Sequence, residues 1–110
     1  MNLVSANENG VAVVSLSGRI DSANAKKFEE AMLAQVGAAA GSVLVDLKNL
    51  EYISSAGLRV ILLAAKQQQR QGRKFALCAP SPEILEVFEV SGFNKIIDIH
   101  GAKADALAKL

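Results

Sequence analysis

Apolar residues along this chain recur with two periods, one strand-like and one helical, and the two alternate. Near the start, Leu3-Val4 and then Val11, Val13, Val14 and Leu16 flank the polar tetrad Asn7-Glu8-Asn9-Gly10. β-Branched runs around turn residues, with Gly10 suited to positive φ, predict two short strands joined as a hairpin. Gly18 ends the second strand. From Asp21 the period lengthens. Ala25, Phe28, Met32 and Gln35-Val36, with Ala31 beside them, predict a helix capped by Asp21 or Ser22, weakened at Gly37 and stopped by Gly41.

Val43, Leu44 and Val45 are consecutive, which suits a central strand covered on both faces. Asp46 is expected at or near the C-terminal end of that strand, with Tyr52-Ile53 a second short piece. In the next helix Leu58, Ile61, Leu62 and Ala65 mark a buried face. Arg59, Lys66, Gln67 and Arg70 mark its wet side, and Gly72 stops it. Val60 and Leu63 lie off the buried stripe and are candidates either for a contact surface or for ordinary packing. "RKFALCAP" reads as a strand. "SPEILEVFEVSG" reads as a third helix with Ser81 as N-cap, Pro82 at its first position, and Ile84, Leu85 and Phe88 facing in. "NKIIDIHG" is a last short strand, and "AKADALAKL" a terminal helix with Ala104, Leu107 and Ala108 on one side.

The order β-β-α-β-α-β-α-β-α predicts one α/β domain over residues 1–110. Its sheet is mixed but mostly parallel, with an N-terminal antiparallel hairpin and about four helices packed on it. Composition then removes function classes. The chain has 110 residues, 51% hydrophobic and 5% aromatic, without Trp, and a net charge of +1. Neither stacking rings nor a basic stripe supports nucleic-acid binding. The one cysteine, Cys78, sits in an apolar strand and reads as a small buried residue. No Cys/His cluster suggests a metal, and no phosphate loop or GxSxG elbow suggests a cofactor or nucleophile. The single histidine, His100, has no companion nucleophile. Neither a signal-peptide pattern nor a membrane-length apolar run is present, so a cytoplasmic, non-enzymatic domain without cofactor or membrane insertion is expected.

The remaining chemistry lies at the Ser54-Ser55 joint between strand and second helix. Either serine can cap the helix by accepting from its free N–H groups. The same end, with its partial positive charge, also accommodates a phosphoryl group on the hydroxyl. Gly57 leaves room at the turn, and Ala56 is small enough for a partner to approach. If Asp21 and Asp46 share that edge of the sheet, its rim is acidic and a phosphate there is repelled.

"VLVDLKNLEYISSAGLRVILLAAK" resembles the STAS domain, the family of sulphate transporters and anti-sigma factor antagonists. "GRID" (Gly18–Asp21) resembles that family's first strand-to-helix junction, and "SPEILEVFEVSGFNKIIDI" its third helix and final strand. As a single domain the chain is most similar to an anti-sigma factor antagonist. The resemblance implies a protein that binds a GHKL-type anti-sigma factor/serine kinase while unphosphorylated and is released on serine phosphorylation. A PP2C-type phosphatase restores binding. It further implies a monomer or weak dimer, with Ser54, Leu58, Arg59, Val60 and Leu63 at the partner interface. In the best-known form of the motif, Asp-Ser-[Ser/Thr]-Gly, the acceptor precedes Gly. Here Ala56 occupies that place and Ser54 the Asp place. The resemblance to relatives with Ser-Ser-Ala-Gly implies a serine one or two places earlier: Ser55, nearer the expected helix start, is the expected acceptor, Ser54 the alternative, and Asp21, Asp46, Ala56 and Gly57 the surroundings. A second possibility is an unphosphorylated STAS subunit of a lipid or solute ABC transport complex.

Overall fold

In the computed structural model, which describes residues 1–110, Asn9 and Gly10 take φ of 54° and 82°. Two successive positive φ angles make a type I′ turn, whose twist matches that of the strands it joins. It folds β1 (Asn2–Glu8) antiparallel onto β2 (Val11–Ile20). The chain then crosses through α1 (Ala25–Ala38) to β3 (Val43–Ile53), α2 (Ser55–Arg70) to β4 (Phe75–Cys78), and α3 (Pro82–Val90) to β5 (Asp98–His100). The last crossing includes a 3₁₀ turn at Phe93–Lys95, and α4 (Lys103–Lys109) follows β5. The sheet order is β1-β2-β3-β4-β5, parallel from β2 onward.

The sheet is covered on both faces. On one, Val14, Leu16, Val45, Leu47 and Leu77 pack with Phe28, Met32 and Val36 of α1, Ile61 of α2, and Ile84 and Phe88 of α3. On the other, Val11, Val13, Leu44, Ala76 and Cys78 meet Ala106 of α4. The three consecutive apolar residues of β3 are buried because they serve both layers.

Four local expectations are corrected. The first concerns Asp46, which lies inside one continuous β3 rather than near its end. Ser15 pairs with Asp46 but Ser17 pairs with Asn49, so β3 bulges there. The Asp46 carboxylate accepts the Lys48 N–H at 3.0 Å, satisfying a backbone donor at the bulge. The second is that neither Asp21 nor Ser22 caps α1. Asp21 instead closes the turn before it, accepting from Ala23 and Asn24 N–H at 3.0 and 3.1 Å, while Asn24 occupies the N-cap position.

The third is the inward stripe of α2, which is Gly57, Val60, Ile61, Ala64 and Gln68, together with Leu58. Leu62 and Ala65 are only half-buried. Gly57 explains the rotation. A Cβ there would lie 2.7 Å from Ile20 and 2.8 Å from Ile53, so this glycine is the helix's point of closest approach. Once Gly57 faces in, positions three, four, seven and eleven later face in with it. The fourth is α4, which turns Ala106 and the half-buried Leu107 and Leu110 inward, leaving Ala104 and Ala108 exposed.

Candidate functional site at the start of the second helix

The parallel β2 and β3 stay paired, through two register shifts, to the Ile20–Ile53 pair, both buried, and each then leaves the sheet. Just before that pair, the Arg19 guanidinium stacks 4.4 Å from the centre of the Tyr52 ring. A cation over an aromatic face adds a modest attraction that ties the two strand ends together. Beyond the pair, the Ser54 N–H donates to the Ile20 carbonyl at 2.8 Å. Asp21 and Ser54 therefore leave the sheet side by side, and the structure brings these two predicted residues together.

Ser54 carries the cap. Its backbone is extended, its hydroxyl oxygen accepts from the Gly57 N–H at 3.2 Å, and its carbonyl accepts from Leu58 N–H at 2.9 Å. It is half-buried, whereas Ser55, the first helical residue, is exposed. Capping by the neighbour leaves the Ser55 hydroxyl at the surface beside the positive end of a 16-residue helix. Ala56 is half-buried next to it. Gly57 is buried beneath the turn, where it gives room to Ile20 and Ile53 rather than to an incoming partner.

Ser55 and Leu58 line one wall of a groove of ≈ 410 Å³. The other wall is α3, through Glu83, Glu86, Val87, Val90 and Ser91. Val90 is 82% exposed, an apolar side chain held out in water. The acids flanking Ser55 across this groove are thus Glu83 and Glu86. These α3 residues escaped the sequence reading, although their spacing of three to four marks a second stripe beside the core face of Ile84 and Phe88.

The residues expected at a partner surface separate on burial. Arg59 is exposed and Leu63 is 37% exposed, so both are available. Val60 is only 3% exposed and belongs to the core, because the helix is turned by its contact at Gly57. Leu58, 7% exposed, shows just its edge in the groove.

Asp46 is not brought to the serines. It follows Leu44 by two residues and so shares the sheet face that α4 covers. There it neighbours Cys78, its partner across β3 and β4. Burial first, and then the negative charge of Asp46, push the Cys78 thiol up to about 11. An ion pair of Lys103 with Glu8, 2.6 Å apart, joins α4 to β1 on this same face.

With this geometry in place, comparison with known proteins decides the family. The family model described as the STAS domain matches residues 2–106. The chain belongs to the STAS domain family. It is 41% identical over 108 residues to BtrV of Bordetella bronchiseptica, provisionally named an anti-sigma factor antagonist. That alignment covers 98% of this chain and 93% of BtrV. The crystal structure of an anti-sigma factor antagonist from Mycobacterium paratuberculosis superposes with a TM-score of 0.90 at 26% identity, covering 98% of this chain and 92% of the other. SpoIIAA, an anti-sigma factor antagonist solved in unphosphorylated and phosphorylated forms, shares the fold at 16% identity, with TM-scores of 0.81 and 0.72. Those alignments cover 98% of this STAS chain in both cases, and 95% and 98% of SpoIIAA. No helix of the STAS fold seen here is long and apolar enough to cross a membrane.

Proposed function

We propose that this STAS chain is an anti-sigma factor antagonist whose binding is controlled by phosphorylation of Ser55. In its unphosphorylated form it docks, in the cytoplasm, on an anti-sigma factor that is also a GHKL-type serine kinase. Phosphoryl transfer releases it, and a PP2C-type phosphatase resets it. The chain is binder and substrate, and the phosphoryl-transfer chemistry belongs to its partners. The observation that carries this reading is the division of labour at α2: Ser54 spends its hydroxyl on the cap, while Ser55 stands exposed at the groove.

The mechanism needs no refolding. Phosphorylation adds roughly −1.5 to −2 of charge at neutral pH. The helix end offsets part of it, but Glu83 and Glu86 already place two carboxylates along the groove. A partner surface closing over the site strips water from this charge, and an unmatched buried charge costs several kcal/mol. A loss of about 4 kcal/mol corresponds to roughly a thousandfold in affinity.

The test is binding of the purified chain to an anti-sigma factor of the GHKL type, measured by calorimetry. Ser55→Ala should bind as tightly as the native chain. Ser55→Asp, a partial mimic with one charge, should bind about tenfold or more weaker with unchanged circular dichroism. Equal affinity for native and Ser55→Asp overturns the proposal, and a stable complex with a transporter ATPase that Ser55→Asp leaves unchanged would favour an unphosphorylated subunit of a transport complex.

A further inference from the structure

Strands β1 and β5 are the two edges of the sheet, and β1, with seven residues against three, is the long one. Its two-residue type I′ loop makes Glu8 and Val11 the hydrogen-bonded pair that closes the hairpin. From that pair the pattern alternates. Glu8, Ala6, Val4 and Asn2 turn their N–H and C=O groups toward β2, while Asn7, Ser5 and Leu3 turn theirs outward. The same alternation sends the Ala12 N–H to the far side of β2, where it meets the Ser42 carbonyl at 2.9 Å. The outward groups lie on a strand with no proline, an unbroken register and one charge, Glu8, which is already paired with Lys103. Soluble proteins usually blunt such an edge with charge, proline or a bulge, because it is a template for another strand.

The geometry points to a second copy of this chain as the occupant, β1 against β1, antiparallel about a two-fold axis through Ser5. That register opposes Ser5 to Ser5 and Leu3 to Asn7. Among antiparallel registers it alone pairs all three outward-facing residues of each strand with their counterparts. Charge agrees, since Glu8 falls opposite Asn2 and no like charges meet. Val4, 65% exposed in the single chain, falls opposite Ala6 in a non-hydrogen-bonded pair, where side chains approach more closely. The strand is thus complementary to itself in hydrogen bonding, charge and apolar contact. The two-fold runs perpendicular to the sheet, so α1, α2 and α3 of both copies lie on one side. Strand β2 separates β1 from β3 and α2, which leaves both Ser55 grooves open.

Sedimentation velocity of the full chain from micromolar to millimolar concentration tests this. Native protein should show a dimer fraction that grows with concentration. The Ser5 side chain is exposed and its N–H lies outside the β1–β2 ladder, so Ser5→Lys and Ser5→Glu should keep the native circular dichroism. Each variant sets like charges against each other at the axis and should weaken dimerisation by about tenfold or more. Mixing the two variants should restore it. A chain that stays monomeric throughout overturns the inference and leaves the edge to a strand of a different protein. A dimer indifferent to both substitutions, or variants that fail to recover on mixing, overturns it equally.

Discussion

Two adjacent serines with different environments set the behaviour of the site. Ser54 accepts from Gly57 N–H and is half-buried, so Ser54→Ala should cost about 1 kcal/mol, the usual price of a lost N-cap. Chemical denaturation measures that loss, and the variant should still be modified at Ser55. Gly57 allows no such change. An added methyl lies within 2.8 Å of Ile20 and Ile53 side chains, so Gly57→Ala should lower stability by about 1–2 kcal/mol despite alanine's better helix propensity. A gain in stability would show that α2 can lift off the strand ends freely. Cys78 gives a pH signature on the other face. Its thiol ionises near 9.0 when unfolded and at about 11 when folded. Between those values the unfolded chain has released a proton that the folded chain keeps, so stability falls as pH rises. Denaturation from pH 8 to 11 should show a steeper decline in the native chain than in Cys78→Ala. Parallel curves would mean that the thiol is not held protonated by the fold.

The helices show what sequence pattern conveys and what it leaves out. The α1 stripe of Ala25, Phe28, Met32 and Val36 was legible from its spacing of three to four residues, and all four are buried, while Gln35, read with them, is half-buried. The α2 stripe was misread because apolar residues almost encircle its first half, so periodicity did not choose a face. One glycine's contact with two isoleucines chose it, and that contact depends on tertiary structure. The same rotation buries Gln68, a polar residue that no apolar periodicity marks as internal. Its side-chain amide donates to the carbonyls of Gly41 and Lys74, both at 3.0 Å, pinning the end of α2 to the two loops that enter β3 and β4. Gln68→Ala should strand the Gly41 carbonyl, while that of Lys74 keeps the Val43 N–H, and should cost about 1–2 kcal/mol, measured by thermal or urea unfolding. A neutral substitution would indicate that water replaces the amide. Helix α3 was legible as a helix, but its groove-facing stripe was not. Its core face follows from the apolar spacing, but nothing in the spacing of Glu83, Glu86 and Val90 points to a groove, which only the packing of α2 beside them forms.

At the scale of the molecule, alternating strand and helix patterns were enough to predict the hairpin followed by a parallel sheet, because right-handed crossovers leave few other arrangements. The position of Asp46 was not legible. Strand length and face depend on partners in register, and the bulge opposite Ser15 and Ser17 carries β3 well past the point where the sequence suggested an end. One consequence is that the acidic surroundings of Ser55 come from Glu83 and Glu86 of α3 rather than from Asp46. Substituting Glu83 and Glu86 together by Gln should therefore reduce the salt dependence of partner association, while Asp46→Asn should leave it unchanged. Stopped-flow rates at two ionic strengths distinguish the two variants. The most direct test of the central claim is site mapping by mass spectrometry after incubation of the native chain with a GHKL-type anti-sigma factor kinase and ATP. One phosphate is expected, on Ser55, with Ser54 unmodified. Phosphate on Ser54, or none on either serine with a kinase that demonstrably binds the chain, would contradict it.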